Sequence, residues 1–232
     1  MWIKICGNTN LEDAQLAAEL GADAVGFVFA ASPRQVTPDQ VASITPHLPD
    51  EVERVGVFDS LDAEQIATVA LDVGLTAVQL HGEFDENLLS RLAERFTGGV
   101  RIIQTLHWIV DEPDRSASPT TRTPAAWLAA QVNRLAHLGV ARLLIDSKVG
   151  AASGGTGVAF DWDAARGAFA CAPNGIQLIA AGGLRPNNVA QAIARLNPWG
   201  VDVSSGVEAS VGHKDPQLLA QFIRNARNSP AS

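Results

Sequence analysis

The chain has 232 residues, of which 47% are apolar and 18% are charged, a composition typical of a folded domain rather than a disordered chain. Seventeen basic against twenty-five acidic side chains give a formal net charge of −8. This balance argues against nucleic-acid binding through a broad basic surface. A small anionic ligand is still compatible with it, because a few backbone amides can hold a phosphate group.

The cysteines and the apolar runs bear on the cellular compartment. The two cysteines, Cys6 and Cys171, cannot form a disulfide framework, and the N-terminal stretch lacks the features of a secretory signal. No apolar run approaches the roughly 20 residues that a bilayer-spanning helix needs. We therefore expect a cytoplasmic protein that binds neither membranes nor nucleic acid.

A helix that ends at a turn and leads into a short apolar strand recurs along the chain. The copies lie at residues 17–29, 70–82, 134–147 and, in a weaker form, 193–206. Gly21, Gly74 and Gly139 mark the turn in the first three copies, since glycine adopts the left-handed conformation at a helix end without steric cost. Each interval leaves room for one more strand and helix, so four copies indicate eight strand-helix units.

The remaining elements complete this alternation. Further strands, short and apolar, are predicted at residues 2–6, 52–58, 100–105 and 176–180. Helices are predicted at residues 11–20, 38–45, 62–72, 85–96, 124–138, 161–169, 186–196 and 216–228. Near-continuous apolar strands are typical of parallel sheets covered on both faces. The pattern favours a single-domain (β/α)8 TIM barrel over residues 1–232, with an open doubly wound sheet as the alternative fold.

One segment interrupts the alternation. Residues 107–123 contain two prolines and several serines and threonines, and they show neither a helical nor a strand period. The segment follows the fifth strand, so in a barrel it extends the loop on the carboxyl-terminal face. Loops of this length are usually lids or insertions, and both interpretations stay open here.

In a barrel of this kind the reactive groups lie at the carboxyl ends of the strands. Cys6 ends the first predicted strand and Asp146 ends the sixth. Barrel closure puts strands seven and eight between them, so a ligand anchored there would have a thiol on one side and a carboxyl on the other. One proton acceptor and one proton donor across a ligand suit an isomerase. The alternative for Cys6 is a small buried apolar residue.

Three clusters of small residues follow strands six, seven and eight. Glycine lets backbone N–H groups approach an anion, and serine hydroxyls add further donors. Their position predicts a phosphate site, with ordinary turn formation as the alternative. The residues are Gly154, Gly155 and Gly157, then Gly182 and Gly183, then Ser204, Ser205 and Gly206.

Two further polar residues stand at strand ends. Arg34 follows the second strand, where its guanidinium could bind a substrate carboxylate or lie in solvent. His81 follows the fourth strand and could contact substrate or pack at the rim. Linear spacing shows no metal-ligand cluster, and the G-x-G-x-x-G dinucleotide motif is absent. We therefore predict no metal and no cofactor.

Taken together, seven motifs resemble those of the phosphoribosylanthranilate isomerase family. They occur in the order of that family, and the resemblance runs from residue 2 to residue 216. The motifs are KICG at 4–7, SPR at 32–34, VQLHG at 78–82, LIDS at 144–147, GGTG at 154–157, AGGL at 181–184 and VSSGVE at 203–208. The departure is residues 107–123, a segment longer than the resemblance leads us to expect.

The resemblance implies a reaction and a role for each candidate residue. The reaction is the Amadori rearrangement of N-(5′-phosphoribosyl)anthranilate, a small phosphorylated substrate, in the third step of tryptophan synthesis from chorismate. Asp146 would be the general acid that opens the ribose ring, and Cys6 the general base at C2′. Arg34 would bind the anthranilate carboxylate, and the three small-residue clusters would hold the phosphate. No redox cofactor and no metal would be needed.

Three other functions stay open at this point. A histidine-pathway or bifunctional aminoaldose isomerase is the nearest, although such enzymes resemble one another in using a carboxylate base where this chain has Cys6. A pentulose-phosphate epimerase would want metal ligands that the motifs lack. A non-catalytic phosphosugar-binding barrel is the third alternative. The sequence indicates no oligomeric state.

Overall fold

The computed structural model describes residues 1–109, 124–148 and 162–229. Strands and helices alternate through these ranges. The strands are β1 Trp2–Ile5, β2 Ala24–Val28, β3 Glu53–Phe58, β4 Ala77–Leu80, β5 Arg101–Ile109, β6 Arg142–Lys148, β7 Gln177–Ala181 and β8 Gly200–Val203. The helices are α1 Leu11–Glu19, α2 Pro38–Ile44, α3 Ala63–Asp72, α4 Glu86–Phe96, α5 Pro124–His137, α6 Trp162–Ala170, α7 Val189–Leu196 and α8 Pro216–Arg227.

The eight strands are parallel and pair in chain order, and β8 pairs back with β1 to close the barrel. The predicted (β/α)8 barrel is confirmed, and the open doubly wound sheet is wrong. A short antiparallel pair, β9 (Glu208–Ser210) and β10 (His213–Lys214), lies between β8 and α8. Within the described ranges, no helix has both the length and the apolar character that crossing a membrane requires.

Two helices begin where the sequence predicts, directly after residues whose side chains cap them. The Asn10 side chain accepts a hydrogen bond from the Asp13 N–H at the start of α1, and Thr37 forms a reciprocal capping box with Gln40 before α2. Helix α7 is shorter than predicted, since it begins at Val189 instead of residue 186. The preceding turn takes up the difference, because the Arg185 N–H donates to the side-chain oxygen of Asn188.

The strands β5 and β6 extend beyond their predicted ends. Their ladder runs from Ile103 paired with Arg142 as far as Ile109 paired with Lys148. Residues 107–109 of the predicted irregular segment therefore belong to β5, and residues 110–123 lie outside the described residues. Asp146 lies within β6 rather than at its end. Backbone pairing continues here although the apolar pattern that marks a strand in the sequence has stopped.

The barrel interior changes from apolar to polar along the strands. Side chains at alternate positions of a strand share a face, so residues two apart stack inside the barrel. An apolar cluster collects one residue from most strands: Trp2, Ala24, Val55, Ala77, Ile103, Leu144, Ile179 and Ala181. Two residues beyond Trp2, Ala77 and Ile103 stand Lys4, Gln79 and Thr105, and a further step of two reaches Cys6, His81 and His107. The two-residue period of the strands therefore places residues with reactive side chains at the carboxyl-terminal end of the barrel.

At the opposite, amino-terminal end of the barrel, Arg142 packs against two tryptophan rings that stack on each other. The guanidinium of Arg142 lies 5.4 Å from the Trp2 ring centroid and 4.6 Å from that of Trp199, and the two rings stack 5.2 Å apart. The Arg142 Nη1 also donates to Glu53 Oε2 at 2.6 Å, and its Nε donates to Gln177 Oε1 at 2.6 Å. These contacts combine cation–π attraction with charge-assisted hydrogen bonds at a site largely removed from water.

Arg142→Met is expected to lower the free energy of unfolding by about 1–3 kcal/mol, because the two tryptophan rings lose the cation and Glu53 loses one partner. Urea denaturation followed by tryptophan fluorescence measures the change, and kcat should stay unchanged because the site lies at the other end of the barrel. Arg95→Met is the control, since Arg95 pairs with Glu64 at the exposed surface. Equal urea midpoints for the two variants would contradict the expectation.

Candidate active site at the carboxyl ends of the strands

Cys6 directly follows β1 and is buried, with 7% of its surface exposed. Its N–H donates to the Val203 carbonyl of β8 at 2.8 Å. The next residue, Gly7, has a φ of +72°, and a Cβ there would lie 2.6 Å from Arg34 Cδ and 2.8 Å from Ser204 Oγ. Only glycine fits this position, and its small size lets the segments after β1, β2 and β8 meet around the thiol.

A charged residue lies directly beneath Cys6 inside the barrel. Lys4 is completely buried, and its Nζ donates to Asp202 Oδ1 at 2.9 Å and to Gln79 Oε1 at 2.8 Å. The Gln79 amide in turn donates to Thr105 Oγ1 at 3.2 Å. The Lys4 ammonium therefore has fixed partners on β4 and β8. Sequence analysis did not assign it a function, although one lysine in the otherwise apolar strand WIKI was a usable signal.

The surroundings of Cys6 act on its pKa in opposite directions. Burial raises the pKa of the Cys6 thiol, while the Lys4 ammonium, which hydrogen-bonds it, lowers the pKa; burial is the larger effect and the net pKa is raised. For Lys4 itself, burial lowers the pKa, but Asp202 and Cys6 together raise it above its ordinary value. The pair therefore rests as a thiol beside a charged ammonium, with the ammonium in place to stabilise a thiolate.

Arg34 binds a carboxylate of the protein itself. Its Nε and Nη2 donate to the two oxygens of Glu208 at 2.7 and 2.6 Å, a two-pronged contact. Lys214 Nζ donates to the same carboxylate at 3.1 Å and to the Cys6 carbonyl at 2.6 Å. Although burial raises the pKa of Glu208, hydrogen bonds from Arg34 and Lys214 outweigh it and lower the pKa. Glu208 therefore stays ionised and fixes Arg34 beside Gly7. Sequence analysis assigned no role to Glu208, the last residue of the VSSGVE motif, or to Lys214.

The chain brings two histidines to Asp146. His107 Nδ1 lies 3.8 Å from Asp146 Oδ2, and its Nε2 lies 2.7 Å from the His81 carbonyl oxygen. The His81 and His107 rings meet edge to face, with centroids 4.5 Å apart. One ligand atom from each of the three residues lies within 4.8 Å of the others, close enough to hold a metal ion. Linear spacing showed no such cluster, because His107 and Asp146 lie on β5 and β6 and His81 directly follows β4.

Two of the three predicted phosphate clusters meet in the structure. Gly182 and Gly183 have φ values of +89° and +63°, a backbone that side chains disfavour. The residues after β8 pack directly on this turn, since a Cβ at Gly206 would collide with the Leu184 carbonyl oxygen. Ser204 directly precedes the 3-10 helix Ser205–Val207, which begins at Ser205. The third cluster, Gly154, Gly155 and Gly157, lies outside the described residues.

Fold and site together define a class: a (β/α)8-barrel enzyme with a buried thiol and a carboxyl on opposite sides of two glycine-containing turns. Comparison with known proteins specifies the family. The family model described as N-(5′-phosphoribosyl)anthranilate (PRA) isomerase matches residues 3–225. A relative of the same description from Pelobacter propionicus is 42% identical over 230 residues, which cover 98% of this chain and 96% of the relative.

Solved structures give the same result. The phosphoribosyl anthranilate isomerase of Thermotoga maritima is 37% identical, with a TM-score of 0.80 and 98% of each chain covered. A phosphoribosyl anthranilate isomerase solved with reduced 1-(o-carboxyphenylamino)-1-deoxyribulose 5-phosphate is 36% identical, with a TM-score of 0.75 and the same coverage. The chain therefore belongs to the N-(5′-phosphoribosyl)anthranilate isomerase family. It catalyses an aldose–ketose isomerisation that is a step of tryptophan biosynthesis. These matches favour this activity over the alternatives left open by the sequence.

Proposed function

We propose that Cys6 and Asp146 carry the two proton transfers of the isomerisation, as general base and general acid. The observation that supports this pairing is the closed strand order, in which β7 and β8 separate β6 from β1. Both residues occupy interior positions toward the carboxyl end of the barrel, two residues after Lys4 and Leu144 respectively. A substrate whose phosphate lies over the β7 and β8 turns would extend between the thiol and the carboxyl.

In the first step the Asp146 carboxyl donates its proton to the ring oxygen of the phosphoribosyl group. The C1′–O bond breaks, its electron pair stays on the oxygen, and the nitrogen lone pair forms an iminium ion with C1′. In the second step the Cys6 thiolate removes the proton from C2′, and the electrons of that bond neutralise the iminium. The resulting enolamine becomes the ketone by proton transfer. These reaction steps therefore need neither a redox cofactor nor a metal.

The remaining candidate residues would bind the substrate. Arg34, held by Glu208, would bind the anthranilate carboxylate, and His81 would contact the substrate at the rim. The phosphate would lie against the backbone of the β7 and β8 turns, with donors from the third cluster added. The phosphate-binding residues are Gly182, Gly183, Ser204, Ser205 and Gly206, joined by Gly154, Gly155 and Gly157. The enzyme would act in the cytoplasm on this small phosphorylated substrate.

The reaction can be tested by following the loss of fluorescence of freshly prepared phosphoribosylanthranilate in the presence of EDTA. Rapid loss with the purified protein, and loss at the spontaneous rate with the Cys6→Ser variant, would support the reaction and the base together. Loss at the spontaneous rate with the wild-type protein would contradict the proposed chemistry. Activity that disappears in EDTA and returns with added Zn²⁺ would contradict the metal-free mechanism.

Asp146→Asn is expected to lower kcat by about 10²–10⁴-fold, because an amide of the same shape cannot protonate the ring oxygen. KM should change little, since the variant keeps the size of the side chain. Steady-state kinetics at pH 7 measures both constants. Asp59→Asn is a matched control, a carboxyl just past the end of β3 with no role in the proposed mechanism. Near-normal kcat in Asp146→Asn would refute the assignment of the acid.

A further inference from the structure

The β9–β10 hairpin carries a pair of opposite charges. Glu208 and Lys214 are register partners across the hairpin, and Lys214 Nζ donates to Glu208 Oε1 at 3.1 Å. Two hydrogen bonds fasten the hairpin to the start of α1 and the residues before it. Thr9 Oγ1 donates to the Gly212 carbonyl at 2.6 Å. The backbone N–H of Lys214 donates to Asp13 Oδ2 at 3.0 Å, so the pair has a fixed place on the barrel.

Lys214 has the hydrogen-bond partners of an ammonium ion. Its side chain is completely buried, and Nζ donates to the Cys6 carbonyl at 2.6 Å, to the Ser204 carbonyl at 3.4 Å and to Glu208. Burial has the largest effect on the pKa of Lys214 and lowers it, against the raising effect of Glu208. The three acceptors nevertheless take the three N–H groups of an ammonium, whereas a neutral amine would turn its lone pair toward one of them. Lys214 is therefore a cation that substrate cannot touch.

Arg34 is the most exposed member of this charge cluster, which consists of Arg34, Glu208 and Lys214. The exposed fraction of the side chain is 20% for Arg34, 5% for Glu208 and 0% for Lys214. The two hydrogen bonds to Glu208 use the Nε–H and one Nη2–H, two of the five N–H groups of a guanidinium. The other three N–H groups, on Nη1 and Nη2, form a second edge of the same two-pronged geometry. A substrate carboxylate would bind at that edge.

The sum of the three charges determines whether the cluster attracts a second carboxylate. Arg34 and Lys214 contribute two positive charges and Glu208 one negative charge, so the cluster keeps one net positive charge. We propose that Lys214 is a positioning residue that compensates Glu208, leaves the charge of Arg34 unmatched and thereby sets the preference for a substrate with a carboxylate. This inference rests on the proposed role of Arg34. Without Lys214 the Arg34–Glu208 pair would be neutral, and an entering carboxylate would meet no net attraction.

The test compares N-(5′-phosphoribosyl)anthranilate with N-(5′-phosphoribosyl)aniline, which lacks the carboxylate. The readout is the ratio of kcat/KM for the two substrates, in which a loss of folded enzyme or an effect on the shared chemistry cancels. In Lys214→Met this ratio should fall by at least about tenfold, since the interaction of neighbouring charges away from bulk water corresponds to a change in affinity of that size or larger. Liquid chromatography measures product formation from both substrates.

A double variant separates the charge of Lys214 from its structural contacts. Lys214→Met combined with Glu208→Gln leaves Arg34 as the charged member of the cluster, so the net charge is again one positive. The ratio should then return to within about threefold of the wild-type value. A purely structural Lys214 predicts a further fall, because the double variant has lost more contacts. Lys214→Gln keeps N–H donors without the charge; it should lower the ratio as Lys214→Met does and replaces that variant if it does not fold.

Arg227→Met is the matched control, because it removes a positive charge at the amino-terminal end of the barrel, where Arg227 pairs with Asp23. Its ratio should equal that of the wild type. An unchanged ratio in Lys214→Met, or a ratio in the double variant as low as in the single one, would overturn the inference.

Arg34→Met distinguishes a failure of this inference from a failure of the proposed function. A lowered ratio in Arg34→Met beside an unchanged ratio in Lys214→Met would overturn the role of Lys214 alone. An unchanged ratio in Arg34→Met would overturn the proposed binding of the carboxylate by Arg34, and the role of Lys214 with it. A lowered ratio in both variants, with recovery in the double variant, is the result expected.

Discussion

Cys6→Ser is expected to lower kcat by about 10²–10⁴-fold while leaving KM and the fold nearly unchanged. Serine has nearly the shape of cysteine, but its hydroxyl is a far weaker acid than a thiol. Even beside the Lys4 ammonium, too little of the serine alkoxide forms to act as the base. The buried position of Cys6 strengthens this expectation, because burial disfavours an anion there. Cys171→Ser is the matched control, since Cys171 is the exposed cysteine.

The same residue gives the pH dependence of the wild-type enzyme. Because burial raises the pKa of Cys6, the thiol form predominates at neutral pH and the thiolate fraction grows as the pH rises toward that pKa. The acidic limb of kcat/KM should therefore rise with pH and lie above neutrality. A rate that is flat between pH 6 and 8, or a Cys6→Ser variant with more than a tenth of the normal kcat, would contradict the role of Cys6 as base.

The fold could be predicted because local signals and global topology agree. Turn glycines such as Gly21 and Gly74 have positive φ values, and the caps at Asn10 and Thr37 start helices where the sequence indicates them. The strand ends were less predictable. Strand β5 continues to Ile109 because pairing with β6 satisfies the hydrogen bonds of its backbone. This pairing is a tertiary effect, and the composition of a segment rich in polar residues does not predict it.

The site could be predicted in part, for a geometric reason. Once the barrel is assumed, residues at strand ends fall at one face, which was enough to select Cys6, Arg34 and Asp146. What the sequence could not show is how side chains from distant strands pair. The contact of Glu208 with Arg34 spans 174 positions, and that of Lys4 with Asp202 spans 198. Both contacts depend on barrel closure, which brings β8 back to β1 and β2.

A second large effect is expected when the buried pair of Lys4 and Asp202 is broken. Lys4→Met keeps the length of the side chain but leaves Asp202 in the barrel interior without its cation. Removing one partner of a buried ion pair costs about 3–5 kcal/mol, so the free energy of unfolding should fall by that amount. Urea denaturation measures the loss. The thiolate of Cys6 also loses the ammonium that hydrogen-bonds it, so kcat should fall by at least about tenfold in the folded variant.

A double variant separates the structural effect of Lys4 from its catalytic effect. In Lys4→Met with Asp202→Asn the uncompensated charge is removed, and more than half of the lost free energy of unfolding should return, because contacting residues are not additive. The rate should not return with it, since neither substitution restores a cation beside Cys6. Recovery of kcat together with stability would mean that Lys4 only maintains the fold. Recovery of stability alone would identify Lys4 as the group that makes a buried thiol usable as a base.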